Sequence, residues 1–126
     1  NLENNIDVVG WANFDKKLEL LKSVSTVVLP SYNEGLPMSI LEGMACGKAI
    51  ISTTVGAIPE VISEENGFLV PAGDPEALSV AMIKCCMNET LMKSFSEKNR
   101  NKVKEKYSME YMHKKLANLY HKLEEM

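Results

Sequence analysis

TVVLPSYNEGLPMSILEGMACGKAIIST, residues 26–53, decides the fold. It contains two short, β-branched apolar runs, at 26–30 and 49–53, which predict two strands. Residues 36–46 between them have the length and composition of a helix, and Gly47 is placed to end that helix. A strand, a helix and a second strand in this order predict a parallel sheet with crossover helices.

The same alternation extends to both sides of this stretch. IDVVG at 6–10 and NGFLVP at 66–71 predict two further strands. Further helices are predicted at 16–24, 58–63, 75–87, 89–107 and 109–125. Asp74 and Ser108 are the expected N-caps of the helices that follow them. Because the strands are continuously apolar, we predict an α/β fold, a Rossmann-like parallel sheet with helices on both faces.

Length and composition limit the classes of function. The 126 residues suit one domain, and 45% hydrophobic with 25% charged residues is ordinary for a globular protein. The chain has no apolar run near the roughly 18 residues of a membrane span and no signal-peptide pattern. Residues 93–126 carry nine Lys and Arg against five Asp and Glu. Because acids interrupt this basic run, it indicates a solvated helix face, and we expect no nucleic-acid partner.

Cysteine and histidine spacing does not indicate a metal site. Cys46 and the adjacent pair Cys85 and Cys86 lack metal-ligand spacing, and they make a poor disulfide framework. We predict buried or half-buried free thiols in a reducing compartment. His113 and His121 lie eight residues apart, not the about four of helical zinc ligands, and are predicted to be solvated.

Two acids stand out around an otherwise apolar helix. Between residues 38 and 46 the polar side chains are Ser39 and Glu42, on one face, so a buried helix is predicted. A buried carboxylate needs a partner, and Lys or Arg is absent four residues away on either side. The two oxygens of Glu42 would match two adjacent hydroxyls, such as those of a ribose.

Glu34 and Gly35 come just before this helix. The free N–H groups and partial positive charge of a helix start favour a phosphate, and Gly35 lets a ligand approach the backbone. A sugar-contacting acid, a phosphate-binding helix start and a ribose-contacting acid follow the linear order of a nucleotide sugar. The residues alone leave an alternative equally open, in which Glu34 only favours the helix start and Glu42 pairs with a distant lysine.

LPSYNEGLPMSILEGMACGKAIISTTVGAIPEVI resembles the signature of retaining GT-B glycosyltransferases of family 4, the glycosyl transferases group 1. Their pattern is a glutamate, seven residues and a second glutamate, which Glu34 and Glu42 fit. The resemblance continues through NGFLVPAGDPEALSVAM to LANLYHKLEEM, and VVGWAN is similar to the family's strand and base-flanking turn. It implies that residues 1–126 form part of the C-terminal nucleotide-sugar-binding domain, without its first βα units and without the N-terminal acceptor domain.

The resemblance also implies a role for each matching residue. Glu34 would be catalytic and contact the donor sugar, Glu42 would hold the ribose diol, and the backbone amides of 36–39 would meet the diphosphate. The donor-binding set would be Gly10, Trp11, Gly35, Leu36, Pro37, Met38, Ser39 and Glu42, with Gly10 and Trp11 flanking the base. Ala57 stands where the family often has a second glycine, which would tighten the space near the sugar. No metal and no other cofactor is implied, since leaving-group stabilisation is electrostatic in this family.

The implied function is transfer of a hexose from a nucleotide-diphosphate sugar to an unknown acceptor, a saccharide or lipid-linked saccharide. The family's diphosphate-binding Arg and Lys would precede residue 1, so the isolated chain is expected to be inactive. An unpaired strand edge favours self-association. A cytoplasmic location is expected, at the inner membrane face if the full protein contacts the membrane. The alternatives are a non-catalytic structural module of the same fold and a GT-B epimerase acting on a UDP-sugar.

Overall fold

The computed structural model describes residues 2–125. Asn1 and Met126, the outermost residues of the domain predicted over 1–126, lie outside the described residues. Strands β1 (Thr26–Leu29), β2 (Ala49–Thr53) and β3 (Gly67–Val70) form a parallel sheet in the order β1-β2-β3. The α-helices are α1 (Phe14–Ser23), α2 (Met38–Ala45), α3 (Ile58–Val61), α4 (Pro75–Met87), α5 (Glu89–Lys106) and α6 (Met109–Glu124).

The central strand β2 explains why helices cover both faces of the sheet. All five of its residues are buried, and successive side chains point to opposite faces. Ile50 belongs to one core cluster, with Ile40 and Met44 of α2. Ile51 belongs to the other cluster, which contains side chains of α4 and α5 such as Phe95. The predicted α/β fold with a parallel sheet between helices is therefore confirmed.

Local capping signals set most of the helix bounds. The side chain of Asp74 accepts the N–H of Ala77 at the start of α4, and that of Ser108 accepts the N–H of Tyr111 at the start of α6. Both predicted N-caps are thus confirmed. Gly47, which follows the C-cap residue Cys46 of α2, has a φ of +68°, as expected of a residue that ends a helix. None of the helices within residues 2–125 combines the length and apolar character that a membrane span requires.

The strand predicted at 6–10 is wrong. The segment is extended without being part of the sheet, and Val8 is 91% exposed. A strand is stabilised by hydrogen bonds to a neighbouring strand, and none of the described residues pairs with this segment. Its β-branched composition is therefore insufficient to make it a strand in this structure.

The cysteine prediction holds only in part. Cys46, Cys85 and Cys86 are free thiols, Cys85 is buried and Cys46 is partly buried. Cys86 is exposed, which corrects the prediction for that residue, because its position on α4 turns it away from the sheet. His113 and His121 are both exposed on α6, as predicted.

A pair of buried amide side chains, Asn66 and Asn99, joins α5 to the sheet at the amino-terminal ends of β2 and β3. The Asn99 side chain donates to the carbonyl oxygens of Lys48, at 2.8 Å, and of Asn66, at 2.9 Å. Its Oδ1 accepts the side-chain amide of Asn66 at 2.9 Å. Since Lys48 precedes β2 and Asn66 precedes β3, this pair fixes where both strands begin.

Candidate functional site

The loop between β1 and α2 holds Glu34 at the carboxyl edge of the sheet. The hydroxyl of Thr53, the last residue of β2, donates to the carbonyl oxygen of Ser31 at 2.6 Å. The Ser31 hydroxyl in turn donates to Oε1 of Glu34 at 2.7 Å. This chain of hydrogen bonds fixes a partly buried carboxylate relative to the ends of two strands.

The turn between β2 and α3 contacts the same loop and helps to hold it in place. The N–H of Ala57 donates to the carbonyl oxygen of Gly35 at 3.0 Å. Gly56 has a φ of +55°, and a Cβ placed on it would overlap the carbonyl of Glu34. The sequence reasoning missed Gly56, although its place between a strand and a short helix is a recognisable turn signal.

The N-terminus of α2 is open. The N-cap is Pro37, and no side chain of residues 2–125 caps this helix, whereas the other helices of eight or more residues there are capped by Asn13, Asp74, Asn88 and Ser108. The N–H of Ile40 donates to the Pro37 carbonyl at 3.2 Å, so Met38 and Ser39 carry the free N–H groups. Pro37 has no N–H, so only Leu36, Met38 and Ser39 of the predicted segment 36–39 have a backbone N–H to donate.

Helix α2 is less buried than its composition predicts. Ile40, Gly43 and Met44 face the core, but Met38 and Ala45 are exposed. The physical reason is that only one side of the helix packs on the sheet and α5. Its open side faces solvent near the free N–H groups.

Glu42 has the internal partner that the sequence left unidentified. Nζ of Lys17, on α1, lies 2.7 Å from Oε1 of Glu42, and the two side chains are 43% and 31% exposed. Nζ of Lys17 also lies 5.9 Å from the centre of the Phe14 ring. Such a solvent-exposed pair contributes about 0–1 kcal/mol to folding. Local spacing could not reveal this partner, because it lies 25 residues away.

Two hollows lie in this part of the fold, and Glu42 lines one of them. One, of about 150 Å³, lies between α1 and α2 and is lined by Phe14, Lys17, Leu18, Leu21, Glu42, Ala45 and Cys46. The other, of about 310 Å³, lies at the carboxyl ends of the strands. Its lining includes Tyr32, which is 77% exposed, and Thr53, which holds the Glu34 loop.

The predicted base-flanking residues lie in the exposed segment before α1. Gly10 has a φ of +70°, and Trp11 is 89% exposed. No hydrogen bond or ring contact within residues 2–125 joins Trp11 to Glu34 or Glu42. The structure therefore brings together Glu34, Gly35 and the start of α2, and it leaves Gly10 and Trp11 as separate, accessible positions. No group of three or more potential metal ligands occurs in the same described part.

The sequence profile of the glycosyl transferases group 1 matches residues 1–88. The chain belongs to this family. One relative, the N-acetyl-alpha-D-glucosaminyl L-malate synthase of Bacillus anthracis, is 32% identical over 122 residues. This match covers 96% of the chain and 32% of the synthase, so the chain spans about a third of that enzyme's length.

Solved structures of glycosyltransferases share the fold. The sucrose-phosphate synthase of Thermosynechococcus elongatus is 28% identical with a TM-score of 0.86, and the match covers 97% of this chain and 31% of that one. HepE of Anabaena, solved in complex with UDP-glucose, has a TM-score of 0.85 over 96% of this chain and 33% of its own. At 20% identity HepE shows likeness of fold alone. Both support a Rossmann-like domain of the GT-B type.

Proposed function

We propose that this chain is part of the C-terminal donor-binding domain of a retaining glycosyltransferase, which transfers a hexose from a nucleotide-diphosphate sugar. The observation that carries the proposal is the uncapped N-terminus of α2 between two carboxylates, Glu34 and Glu42, in a chain of this family. Free N–H groups and the helix dipole favour a diphosphate at this point. The HepE complex supports a nucleotide sugar as ligand of this fold.

Each site residue then has a defined task. The N–H groups of Met38 and Ser39 bind the diphosphate, whose departure they stabilise electrostatically. Glu34 accepts hydrogen bonds from sugar hydroxyls, and its carboxylate retains acceptor capacity besides the Ser31 hydroxyl. Glu42 accepts the ribose diol. Catalysis in this scheme uses neither a metal nor another cofactor.

The remaining residues of the proposed donor site have supporting tasks. Gly35 gives the diphosphate access to the backbone, and Leu36 contributes one more N–H group. Gly10 and Trp11 flank the base, for which the exposed indole offers a flat apolar face. The acceptor in this proposal is a saccharide or lipid-linked saccharide, and the enzyme works in the cytoplasm, at the inner membrane face where the acceptor is lipid-linked.

Nucleotide binding tests the proposal. Calorimetry on the full protein containing these residues, with UDP, GDP and ADP and their sugars, should show one nucleotide preferred. Glu42→Gln should weaken binding of that nucleotide about tenfold, because the charge-assisted hydrogen bonds to the ribose diol are lost. Glu19→Gln is the matched control, since Glu19 also pairs with a lysine of α1 but is exposed and pairs within its own helix. Binding that Glu42→Gln leaves unchanged would refute the ribose assignment.

A non-catalytic module is the second candidate, and one observation favours it. Both acids already have internal partners, Ser31 for Glu34 and Lys17 for Glu42, as a purely structural role requires. Such a module would bind none of the three nucleotides. Its Glu42→Gln variant would lower the free energy of unfolding without changing any ligand affinity.

A further inference from the structure

Lys17 holds one oxygen of Glu42 and leaves the other free. The Nζ to Oε1 distance of 2.7 Å is that of a charge-assisted hydrogen bond. Oε2 has no hydrogen-bond partner within residues 2–125. A carboxylate offers about four lone-pair sites, so one ammonium donor leaves room for two hydroxyl donors. The ion pair therefore orients Glu42 without filling its acceptor capacity.

Glu42 lies on the face of α2 that begins at the free N–H groups of the helix start. Glu42 follows Met38 by four residues, so both lie on the same face of the helix. Met38 carries one of the free N–H groups of the helix start. A ligand that meets those N–H groups and continues along this face would reach the carboxylate one turn further on.

Lys17 is itself held in place. It is the fourth residue of α1, and its Nζ lies over the Phe14 ring, 5.9 Å from the ring centre. The side chains of Phe14, Lys17 and Glu42 all line the hollow between α1 and α2. Phe14, Lys17 and Glu42 thus form a connected series from one helix to the other.

We propose that Lys17 is a positioning residue, which orients the Glu42 carboxylate for a ribose diol. The proposal rests on the proposed function and adds to it a residue outside the Glu34–Glu42 motif. Without Lys17 the Glu42 side chain would rotate freely and would have to be immobilised on binding, which should weaken ribonucleotide binding about fivefold.

Calorimetry on the full protein tests this with two probes. The first is whichever of UDP, GDP and ADP binds most tightly, and the second is its 2′,3′-dideoxy counterpart. Lys17→Met should weaken binding of the ribonucleotide about fivefold and binding of the dideoxynucleotide less than twofold. Lys17→Arg should restore most of the preference for ribose, because it keeps the charge. Lys16→Met, which removes the adjacent exposed lysine that pairs with Glu19, should change neither affinity.

A double-mutant cycle separates positioning from general damage. In a Glu42→Gln background Lys17→Met should cause no further loss of ribose preference, because Lys17 acts through Glu42. Equal weakening of both probes by Lys17→Met would reduce Lys17 to a structural role. Tighter ribonucleotide binding by Lys17→Met would make Lys17 a competitor of the ligand. Either result overturns the proposal.

The failure of this inference is distinguishable from that of the proposed function. If Glu42→Gln removes the preference for ribose and Lys17→Met does not, only the role of Lys17 is refuted. If the wild-type protein binds none of the nucleotides, or binds both probes equally, the ribose assignment fails and the role of Lys17 with it.

Discussion

Gly56 lies directly against the main-chain carbonyl of Glu34. A Cβ on Gly56 would overlap that carbonyl and would come 2.6 Å from the carbonyl oxygen of Gly35. The neighbouring N–H of Ala57 donates to Gly35 at 3.0 Å. The turn after β2 thus determines where the chain passes between Glu34 and the start of α2.

Gly56→Ala should displace Glu34 and destabilise the fold. Its φ of +55° alone should cost an alanine about 1–2 kcal/mol, and the overlap with backbone adds to this. We expect a loss of at least about 2 kcal/mol in the free energy of unfolding, measured by urea titration. If the proposed function holds, glycosyl transfer by the full protein should also fall, because Glu34 moves.

Gly10→Ala provides the control for stability. Gly10 has a similar φ of +70°, but a Cβ there would meet nothing within 4 Å. It should therefore show the conformational cost alone, about 1–2 kcal/mol. If both variants lose the same stability, the close approach of Gly56 to Glu34 does not matter energetically.

Glu34→Gln should reduce turnover far more than nucleotide affinity. The carboxylate is placed before the helix start, on the sugar side of the proposed diphosphate site, and groups that act on developing charge affect kcat. We expect kcat to fall about 100-fold and the nucleotide Kd to change less than about threefold. Steady-state kinetics and calorimetry on the same preparation measure both quantities.

The matched control for Glu34→Gln is an exposed acid outside the loop. Glu64→Gln removes a charge from the exposed turn before β3 and should leave both quantities unchanged. An equal fall of turnover and affinity in Glu34→Gln would count against a role at the sugar.

The elements that the sequence predicts well are those with strong local signals. The bounds of β2, at Ala49–Thr53, and of α4, at Pro75–Met87, agree with the prediction residue for residue. β2 is a continuous apolar run, and α4 begins with an Asp-Pro cap. Both signals act over a few neighbouring residues, so they can be recognised without the rest of the fold.

What the sequence could not predict depends on distant contacts. The prediction of a strand at 6–10 is wrong because a strand needs a neighbouring strand to pair with, and composition does not show whether one is present. Lys17 and Glu42 are 25 residues apart, and they meet because the fold places α1 and α2 on either side of one hollow. The spacing of Glu34 and Glu42 was readable, but the hydrogen bonds that hold each carboxylate were not.

The isolated 126-residue chain should self-associate. Val8 and Trp11 are about nine-tenths exposed, at 91% and 89%, and α6 presents an exposed apolar row at Met112, Leu116, Leu119 and Leu123. Such surface favours association in water. Sedimentation velocity at increasing concentration should show species larger than a monomer. Replacing Leu116 and Leu119 by Lys should reduce that association, and a wild-type monomer at all concentrations would contradict the prediction.

Asn99→Ala should be among the more destabilising polar substitutions. It removes two donors and one acceptor from a buried network, and leaves the Lys48 carbonyl and the Asn66 side chain with fewer partners. Buried polar groups without partners cost about 1–3 kcal/mol each, so we expect a loss of about 3 kcal/mol on urea unfolding. Asn101→Ala, at an exposed position of the same helix, should change stability by less than about 0.5 kcal/mol. A similar loss in both variants would show that the network contributes little.

The three thiols should differ in reactivity according to burial. Burial raises the pKa of the Cys85 thiol, and the Thr26 side chain opposes this only in part through a hydrogen bond. Iodoacetamide at pH 8, followed by mass spectrometry, should label exposed Cys86 first, Cys46 more slowly and Cys85 only as the protein unfolds.

The same raised pKa predicts how Cys85 affects stability at alkaline pH. In the unfolded chain the thiol ionises at its usual pKa, while in the folded protein it stays neutral to a higher pH. Its contribution to stability is therefore complete below the unfolded pKa and is lost as the pH rises through the folded pKa. Cys85→Ala should flatten this alkaline loss relative to Cys86→Ala, measured by urea unfolding between pH 7 and about 10. Labelling of Cys85 at the rate of Cys86 in the folded protein would contradict the burial on which both expectations depend.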